Sequence, residues 1–510
     1  MFKMDLMLGK KVNYQIIIKS TTNLFFPKFL SVLYVSLFIL SLCFTCKPVA
    51  LNNPSDPSSK AYFETAVLLC ALGKAPCNSC SPPPGPWDSF IGEVTSSGSY
   101  TSGLSFRVDQ SYNLYGLAFS SNQFGSGGIG FQGAVGSTTN FLLTKFSASG
   151  QRVWISYLGQ RSDRPNGVRY KENDGVYVYG ATSTISLPSP VVPHSGTGSN
   201  SFITKLNVNN EFSWTRYFND GTNSDSAIVS DMIEATDSTG FYIVGFSTGA
   251  IVSPGSVIGT NTGNDWYIQK ISYSGIAIFT KYIPFVPSVA NSRPLRIVEI
   301  PNGQGFYIVA LNSEDINSEY PNGKNSFPGY IGNIVMKLDS EFNYQWHRYL
   351  GGTNDVVDDI APSVVAFSNQ NILTSAMYSD SAPSTGQLHP GTGIDSTIFY
   401  RLDGSGNLLN SSFVYNPGES VIISDSIVLS NGKVLISGSV GSQTGITSEF
   451  DPISLREDYR ISGKENFKAA SVQHCDGSFS SYGSSNRVIA ESPIPYGNGA
   501  TNAIFSRFIR

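Results

Sequence analysis

Residues 201–221, SFITKLNVNNEFSWTRYFNDG, decide how this chain reads. Apolar positions lead to Lys205 and a leucine, and a polar turn, NVNNE, follows. A second run then places Trp214 nine residues after the lysine and ends in Asn-Asp-Gly. Two strand-forming runs around a short polar turn read as a β-hairpin. The same grammar returns at 333–352, NIVMKLDSEFNYQWHRYLGG, around Lys337 and Trp346.

Working outward, the basic residue between apolar neighbours recurs at Lys145, Lys205, Lys270, Lys337, Arg401, Arg460 (in EDYRI) and Arg507. Successive copies lie 59 to 67 residues apart, except for a last interval of 47. The aromatic position nine residues on holds Trp154, Trp214, Phe279 and Trp346, but Asn410 after Arg401. A third element is a strand with a small residue near its end: Gly116, Gly180, Gly245, Ala310, Ala376, Gly438 and Gly483. Seven copies of independent strand motifs at a period of about 60 residues predict an all-β fold, a seven-bladed β-propeller of four-stranded antiparallel blades. A solenoid has shorter rungs and no fixed hairpin grammar. The run 87–94, WDSFIGEV, reads as a spare last strand, and the chain stops just after a third strand at 510. Pairing 87–94 with 503–508 would close the ring. Arg460 lies only 23 residues before Gly483, against 35 to 40 elsewhere, so one strand is expected to be missing from the sixth blade. The small residue of the second strand is expected to let neighbouring blades pack closely. The recurring Lys or Arg is expected to be scaffold, its stem over aromatic surface and its head in water.

Upstream, residues 1–45 read as a lipoprotein signal peptide. Five lysines against one acid precede the apolar run Phe29–Phe44, which is short for a spanning helix. The sequence Leu42-Cys43-Phe44-Thr45-Cys46 resembles a bacterial lipobox, which makes Cys46 the lipid-attachment residue and the membrane a partner through that anchor. Residues 46–86 then form a tether. It contains one short helix at 59–72 and the Pro-rich spacer SPPPGP at 81–86. Cys70, Cys77 and Cys80 are candidates for a disulfide in an oxidising compartment, and they are too few for a zinc site. The propeller proper spans 87–510.

The repeat unit resembles the seven-bladed β-propeller (SBBP) repeat family, with NDG at 219–221, LGG at 350–352 and VYVYG at 176–180 matching its pattern. Together with the lipobox, this resemblance implies an exported, spirochaete-like bacterial lipoprotein of the cell envelope, at the outer membrane or cell surface. It implies no chemistry, so no catalytic residue is carried over.

Charged residues are only 14% of the chain, and removing 1–45 leaves 28 basic against 36 acidic residues, a net charge of −8. Binding of nucleic acid by bulk charge is therefore not expected. The acidic runs 220–225 and 354–359 lack calcium-loop spacing, and His194, His347, His389 and His474 lie in unlike contexts and read as surface or interface residues. No metal, cofactor or catalytic set is expected. The expected function is a monomeric binding or structural scaffold, with a protein or glycan ligand on the variable loops 184–200, 313–332 and 379–396. The alternative is a carbohydrate-active hydrolase or lyase using a central channel. Carboxylates or arginines converging on the axis would favour it.

Overall fold

A computed structural model describes residues 87–91, 101–120, 140–159, 164–182, 187–194, 200–219, 227–283 (without 253, 262 and 264), 292–329, 332–350, 362–378, 395–462 (without 415, 417, 430, 442 and 443), 466–473, 479–485 and 502–508. The chain divides into two units, 1–81 and 82–510, and all described residues belong to the second. Cys46, Cys70, Cys77, Cys80 and the expected helix at 59–72 therefore lie outside the described residues.

Those residues are strand and turn throughout. Unit 1 is a meander of β2 (Thr101–Val108), β3 (Leu114–Ser120), β4 (Asn140–Phe146) and β5 (Arg152–Gly159). Unit 2 holds β6 (Arg164–Lys171), β7 (Gly175–Thr182), β9 (Asn200–Leu206) and β10 (Phe212–Phe218), with the short β8 (Pro190–Val192) outside β10. Unit 3 repeats this with β11 (Ala227–Glu234), β12 (Gly240–Ser247), β14 (Asp265–Ser272) and β15 (Ala277–Ile283), edged by β13 (Ser256–Ile258). Unit 4 is β16 (Arg293–Glu299), β17 (Phe306–Asn312), β18 (Gly332–Leu338) and β19 (Tyr344–Leu350). Unit 5 is β20 (Val364–Ala366), β21 (Ile372–Tyr378), β22 (Ser396–Leu402) and β23 (Leu408–Phe413). A single parallel bridge, Ser396 to Val421, joins it to unit 6, which is β24 (Val421–Val428), β25 (Val434–Val440), β26 (Thr444–Asp451) and β27 (Arg456–Ser462). The last sheet orders β28 (Asn466–Gln473), β29 (Phe479–Ser485) and β30 (Asn502–Phe508), and then β1 (Trp87–Ile91). The pairing of β1 with β30 is antiparallel, from Trp87 opposite Arg507 to Ile91 opposite Ala503.

Unit 6 corrects the sequence reading. Its third strand is β26, reached from β25 by a three-residue connection, and Arg460 stands on the fourth strand opposite Ser448. The position opposite the second strand that holds lysine or arginine elsewhere holds Glu449, opposite Leu435. No strand of unit 6 is missing. The short interval came from reading a fourth strand as a third. In unit 1 the register makes Ala118, not Gly116, the counterpart of Gly180, because Tyr115 pairs with Lys145 as Tyr177 pairs with Lys205.

The sheets of units 2 to 5 are apolar on both faces because each is sandwiched between two neighbours. Leu117 and Leu143 of unit 1 pack with Val168 and Val178 of unit 2. Ile203 and Phe218 meet Val229 and Phe241 of unit 3. Comparable cores join units 3 and 4, 4 and 5, and 5 and 6. Each fully buried large apolar side chain contributes about 1.5–3 kcal/mol, so adjacent units hold one another in place.

A ladder of an aromatic, a lysine and a second aromatic crosses the second, third and fourth strands of units 1 to 4. Tyr177, Lys205 and Trp214 stand side by side on consecutive strands, as do Tyr242, Lys270 and Phe279, and Tyr307, Lys337 and Trp346. The lysine ammonium lies 5.0–5.9 Å from the tyrosine ring centroid in these ladders, within cation–π range. The heads are not left in water as expected. Lys205 pairs with Asp174, Lys270 with Asp237 at 2.5 Å, and Lys337 donates to Gln370 Oε1 at 2.6 Å and to Gly404 O at 2.9 Å. The tryptophan then docks on the tight turn of the next unit. Trp214 Nε1 donates to Tyr273 O and Trp346 Nε1 to Gly404 O, both at 3.0 Å. Gly275 and Gly406 take φ of 80° and 83° in those turns, and a Cβ on either would stand 2.7–2.8 Å from the indole. Asn410, which replaces the aromatic in unit 5, keeps the contact by donating to Ile453 O at 2.7 Å in the turn of unit 6.

The second-strand glycines have a different role from the one expected. A Cβ on Gly245 would overlap the Ile228 carbonyl oxygen, and one on Gly438 the Ile422 carbonyl oxygen. Both carbonyls belong to the first strand of the same sheet, where it bulges between Val229 and Asp231 or between Ile423 and Asp425. The glycine makes room for that bulge within its own sheet.

Candidate functional site

Two of the loops expected to carry recognition, 184–200 and 313–332, contribute segments that run along sheet edges, as does a third connection at 256–258. β8 pairs in parallel with β10, β13 does the same with β15, and Gly323 bridges His347 in parallel. Each covers the outer edge of a fourth strand, which would otherwise present unpaired backbone groups. Residues 379–394 lie outside the described residues, as do both acidic runs, 220–225 and 354–359, and His389 and His474. Among the described residues, no group of histidine, cysteine, aspartate or glutamate has the geometry to hold a metal ion.

Two histidines are described. His194 is half-buried, 3.0 Å from Asn200 Nδ2 and edge-on to Tyr217. His347 contradicts its surface assignment, being 0% exposed beneath the segment that bridges it at Gly323. Its Nδ1 lies 2.8 Å from the Tyr344 hydroxyl. Burial pulls its pKa down to about 4, against a weaker upward effect of Asp315.

Charged side chains gather elsewhere, on the first strand of each unit. These strands are successive neighbours, β2 beside β6, β6 beside β11, and onward to β24 beside β28, and β28 in turn approaches β2. Bulges interrupt β2, β6, β11, β16 and β24 at equivalent places, and a bulge re-aims the side chains beside it. Asp231, Arg296 and Asp425 directly follow their bulges, and Arg107 and Arg169 lie two residues further on.

Asp231 is the hub. Its Oδ1 accepts from Arg169 Nη2 at 2.9 Å, from the Tyr179 hydroxyl at 3.0 Å and from its neighbour Met232 N at 2.9 Å. Its Oδ2 accepts from Ile297 N at 3.2 Å, and Arg296 Nη1 lies 3.9 Å from Oδ1. One carboxylate thus ties units 2, 3 and 4 together. Arg169 also donates to Met232 O at 2.5 Å and to Val168 O at 3.0 Å. Burial raises the Tyr179 hydroxyl to about 12, partly opposed by the Arg169 charge. The hydroxyl therefore stays a donor at neutral pH.

Arg107 and Asp425 are differently placed. Among the described residues, the hydrogen bond of the Arg107 guanidinium is to its neighbour's carbonyl, Phe106 O, at 2.6 Å. Burial, with Arg169 adding like charge, brings its pKa down to about 10, so it remains a cation. Asp425 Oδ1 accepts from Ser426 N at 2.9 Å. Burial raises its pKa against the opposing pull of Arg296 and Arg107. Both side chains keep some accessible surface.

Repeated four-stranded meanders, with their first strands side by side and their fourth strands outermost, define a protein of β-propeller architecture. No family model matches the chain, and no curated protein matches its sequence. Among solved structures it is similar to the quinohemoprotein alcohol dehydrogenase ADHIIG of Pseudomonas putida HK5, at 8% identity over 83% of this chain and 75% of that one, TM-score 0.42. It is also similar to the Dos1 propeller, at 8% identity over 82% and 94%, TM-score 0.39. A europium-containing methanol dehydrogenase matches at 9% identity over 83% and 92%, TM-score 0.41. Identities this low carry no residue role from those proteins to this one.

Proposed function

We propose that this chain is an exported, lipid-anchored binding scaffold: a seven-bladed propeller resembling the SBBP repeat family, closed by its own two ends and tethered to the cell envelope through Cys46. The observation that carries the reading is the clasp of β1 on β30, in which the first strand after the Pro-rich spacer completes the sheet of the last. Pairing with β1 covers the edge of β30 that would otherwise be open to strand exchange. The neighbour order of the first strands, returning from β28 to β2, supports the same closure. The binding reading draws its support from a preorganised charged cluster with no metal-ligand set beside it among the described residues.

The convergence of Arg107, Arg169, Arg296, Asp231 and Asp425 favours the second reading, a channel hydrolase or lyase. Glycoside hydrolysis ordinarily takes two working carboxyl groups. Both oxygens of Asp231 are committed to structural donors, which leaves Asp425 as the one free carboxyl of this cluster among the described residues, so the scaffold reading stands first. Two experiments test it. Cys46→Ser should abolish partitioning into detergent and the lipid mass increment; an unchanged mass and partition would refute the anchor. Deleting residues 87–94, or truncating after Asn502, should lower the thermal midpoint of the whole domain. A parent-like midpoint with one local fragment lost would refute closure.

A further inference from the structure

The segment that covers β19 is fastened differently from its counterparts. In units 2 and 3 the residue after the docking aromatic is threonine, whose hydroxyl donates to a carbonyl of the covering segment. Thr215 donates to Pro188 O at 2.8 Å and Thr280 to Pro254 O at 2.6 Å. The same position in unit 4, next to Trp346, is His347. One fastening is common to all three: a fourth-strand tyrosine hydroxyl accepts from the amide of an apolar residue. Tyr217 accepts from Leu187, Tyr282 from Ile251 and Tyr349 from Ile316. Threonine stays neutral at every pH, and histidine does not.

The other contacts that hold residues 315–325 surround the imidazole. Lys324 N donates to His347 O at 2.9 Å. Asn325 exchanges two hydrogen bonds with the Tyr349 backbone, at 2.9 and 3.0 Å. The Tyr344 hydroxyl, 2.8 Å from His347 Nδ1, donates to Tyr320 O at 3.2 Å. The second ring nitrogen faces the covering segment itself: a Cβ on Gly323 would stand 3.0 Å from His347 Nε2 and 1.9 Å from Asn317 Oδ1. Among the described residues Nε2 has no hydrogen-bond partner. An imidazolium carries two N–H donors. The one on Nδ1 can use the Tyr344 oxygen, but the one on Nε2 is sealed beneath Gly323, and a buried unpaired charge is costly. Moving the segment aside admits water to Nε2.

The charged and titratable groups around the imidazole leave that cost in place. On the covering segment, Asp315 favours the proton less strongly than burial opposes it, and Glu319 and Lys324 are exposed. On β19, burial raises Tyr344 to about 12 and Tyr349 further, so both stay neutral. Arg348 lies on the alternate face and donates to Gly406 O of unit 5. On β18, Met336 stands opposite His347, and the adjacent Lys337 donates to Gly404 O of unit 5. In unit 3, which packs on the His347 face through the core shared with Tyr349, Asp265 acts on Tyr320 and Lys281 donates to Asn343 Oδ1.

We propose that residues 315–325 form an acid-released strap, opened when His347 takes up a proton. Release bares backbone groups on the outer edge of β19 that the strap occupies, among them His347 O and the Tyr349 N–H and C=O. The strap stays closed in most molecules, and the open fraction rises as the pH falls. The device is independent of the anchor and ligand assignments above. The test is hydrogen exchange of the full chain in detergent at about pH 7 and about pH 4.5, read by mass spectrometry and corrected for the intrinsic rate at each pH. The opening equilibrium of the strap amides, Ile316, Tyr320 and Lys324, should rise about 50-fold on acidification. That is the linkage for an imidazole titrating at 6.5 in the open strap and about 4 in the closed one. The covering segment of unit 3, from Ile251 to β13, is fastened by Thr280 and should change little. His347→Thr, the residue of units 2 and 3, should abolish the rise. A rise retained in that variant would overturn the assignment, as would equal rises in units 3 and 4 or no rise at all. If His347→Thr does not melt cooperatively, His347→Gln takes its place, and the comparison of units 3 and 4 within the parent needs no variant.

Discussion

His347 makes the stability of unit 4 depend on pH in a window set by its burial. The imidazole is 0% exposed, held by the Tyr344 hydroxyl and edge-on to the Tyr349 ring at 5.1 Å. Its pKa falls from 6.5 to about 4 in the folded chain. At neutral pH the side chain is uncharged in both folded and unfolded chains and adds no pH dependence. Below 6.5 the unfolded chain takes up a proton that the folded chain refuses, so stability declines until the pH passes about 4. Each pKa unit is worth about 1.4 kcal/mol, so the full loss is about 3 kcal/mol. His347→Gln removes the titration while keeping a hydrogen-bond partner for the Tyr344 hydroxyl. Urea unfolding of both proteins at about pH 7 and about pH 4.5, followed by tryptophan fluorescence, isolates the effect, since carboxylate contributions are common to both. The parent should lose about 2–3 kcal/mol more than the variant between the two conditions. Equal losses would refute the argument and mean that the imidazole finds water or a counter-charge when protonated.

Three further substitutions probe the scaffold. Trp214→Ala should cost about 3–5 kcal/mol in denaturant unfolding, because it empties the seat on Gly275 and frees Tyr273 O. Gly245→Ala should cost about 1–3 kcal/mol or more through overlap with the Ile228 carbonyl, whereas alanine at Gly303, where a Cβ meets nothing within 4 Å, is strained by its φ of 67° alone. Asp231→Ala should cost about 3–5 kcal/mol by leaving Arg169 unpaired. A thermal midpoint equal to the parent's would show that Arg169 finds another acceptor.

The strand grammar was legible because each junction repeats one contact. Tyrosine, lysine and tryptophan must meet across three strands and dock on the following turn, so the same residue types return at the same spacing. Reading failed where chemistry and position part company. EDYRI has the pattern of a third strand, yet Arg460 lies on a fourth, and Glu449 occupies the place where the pattern calls for a cation. His347 looked like a surface residue because the strand YQWHRYL shows nothing of the segment that comes back over it at Gly323.

The first-strand charges were missed for a related reason. Arg107, Arg169, Asp231, Arg296 and Asp425 each stand alone in an ordinary strand, far from one another in sequence, and a bulge rather than a motif aims them. One faint signal was present: each precedes the small residue of its unit's second strand by 11 to 14 residues. Positions that repeat around the molecule, such as the Tyr–Lys–Trp ladder, satisfy themselves within each junction. Asp231 is absorbed by three units at once, and the segments at 190–192, 256–258 and 323 are committed to covering outer edges.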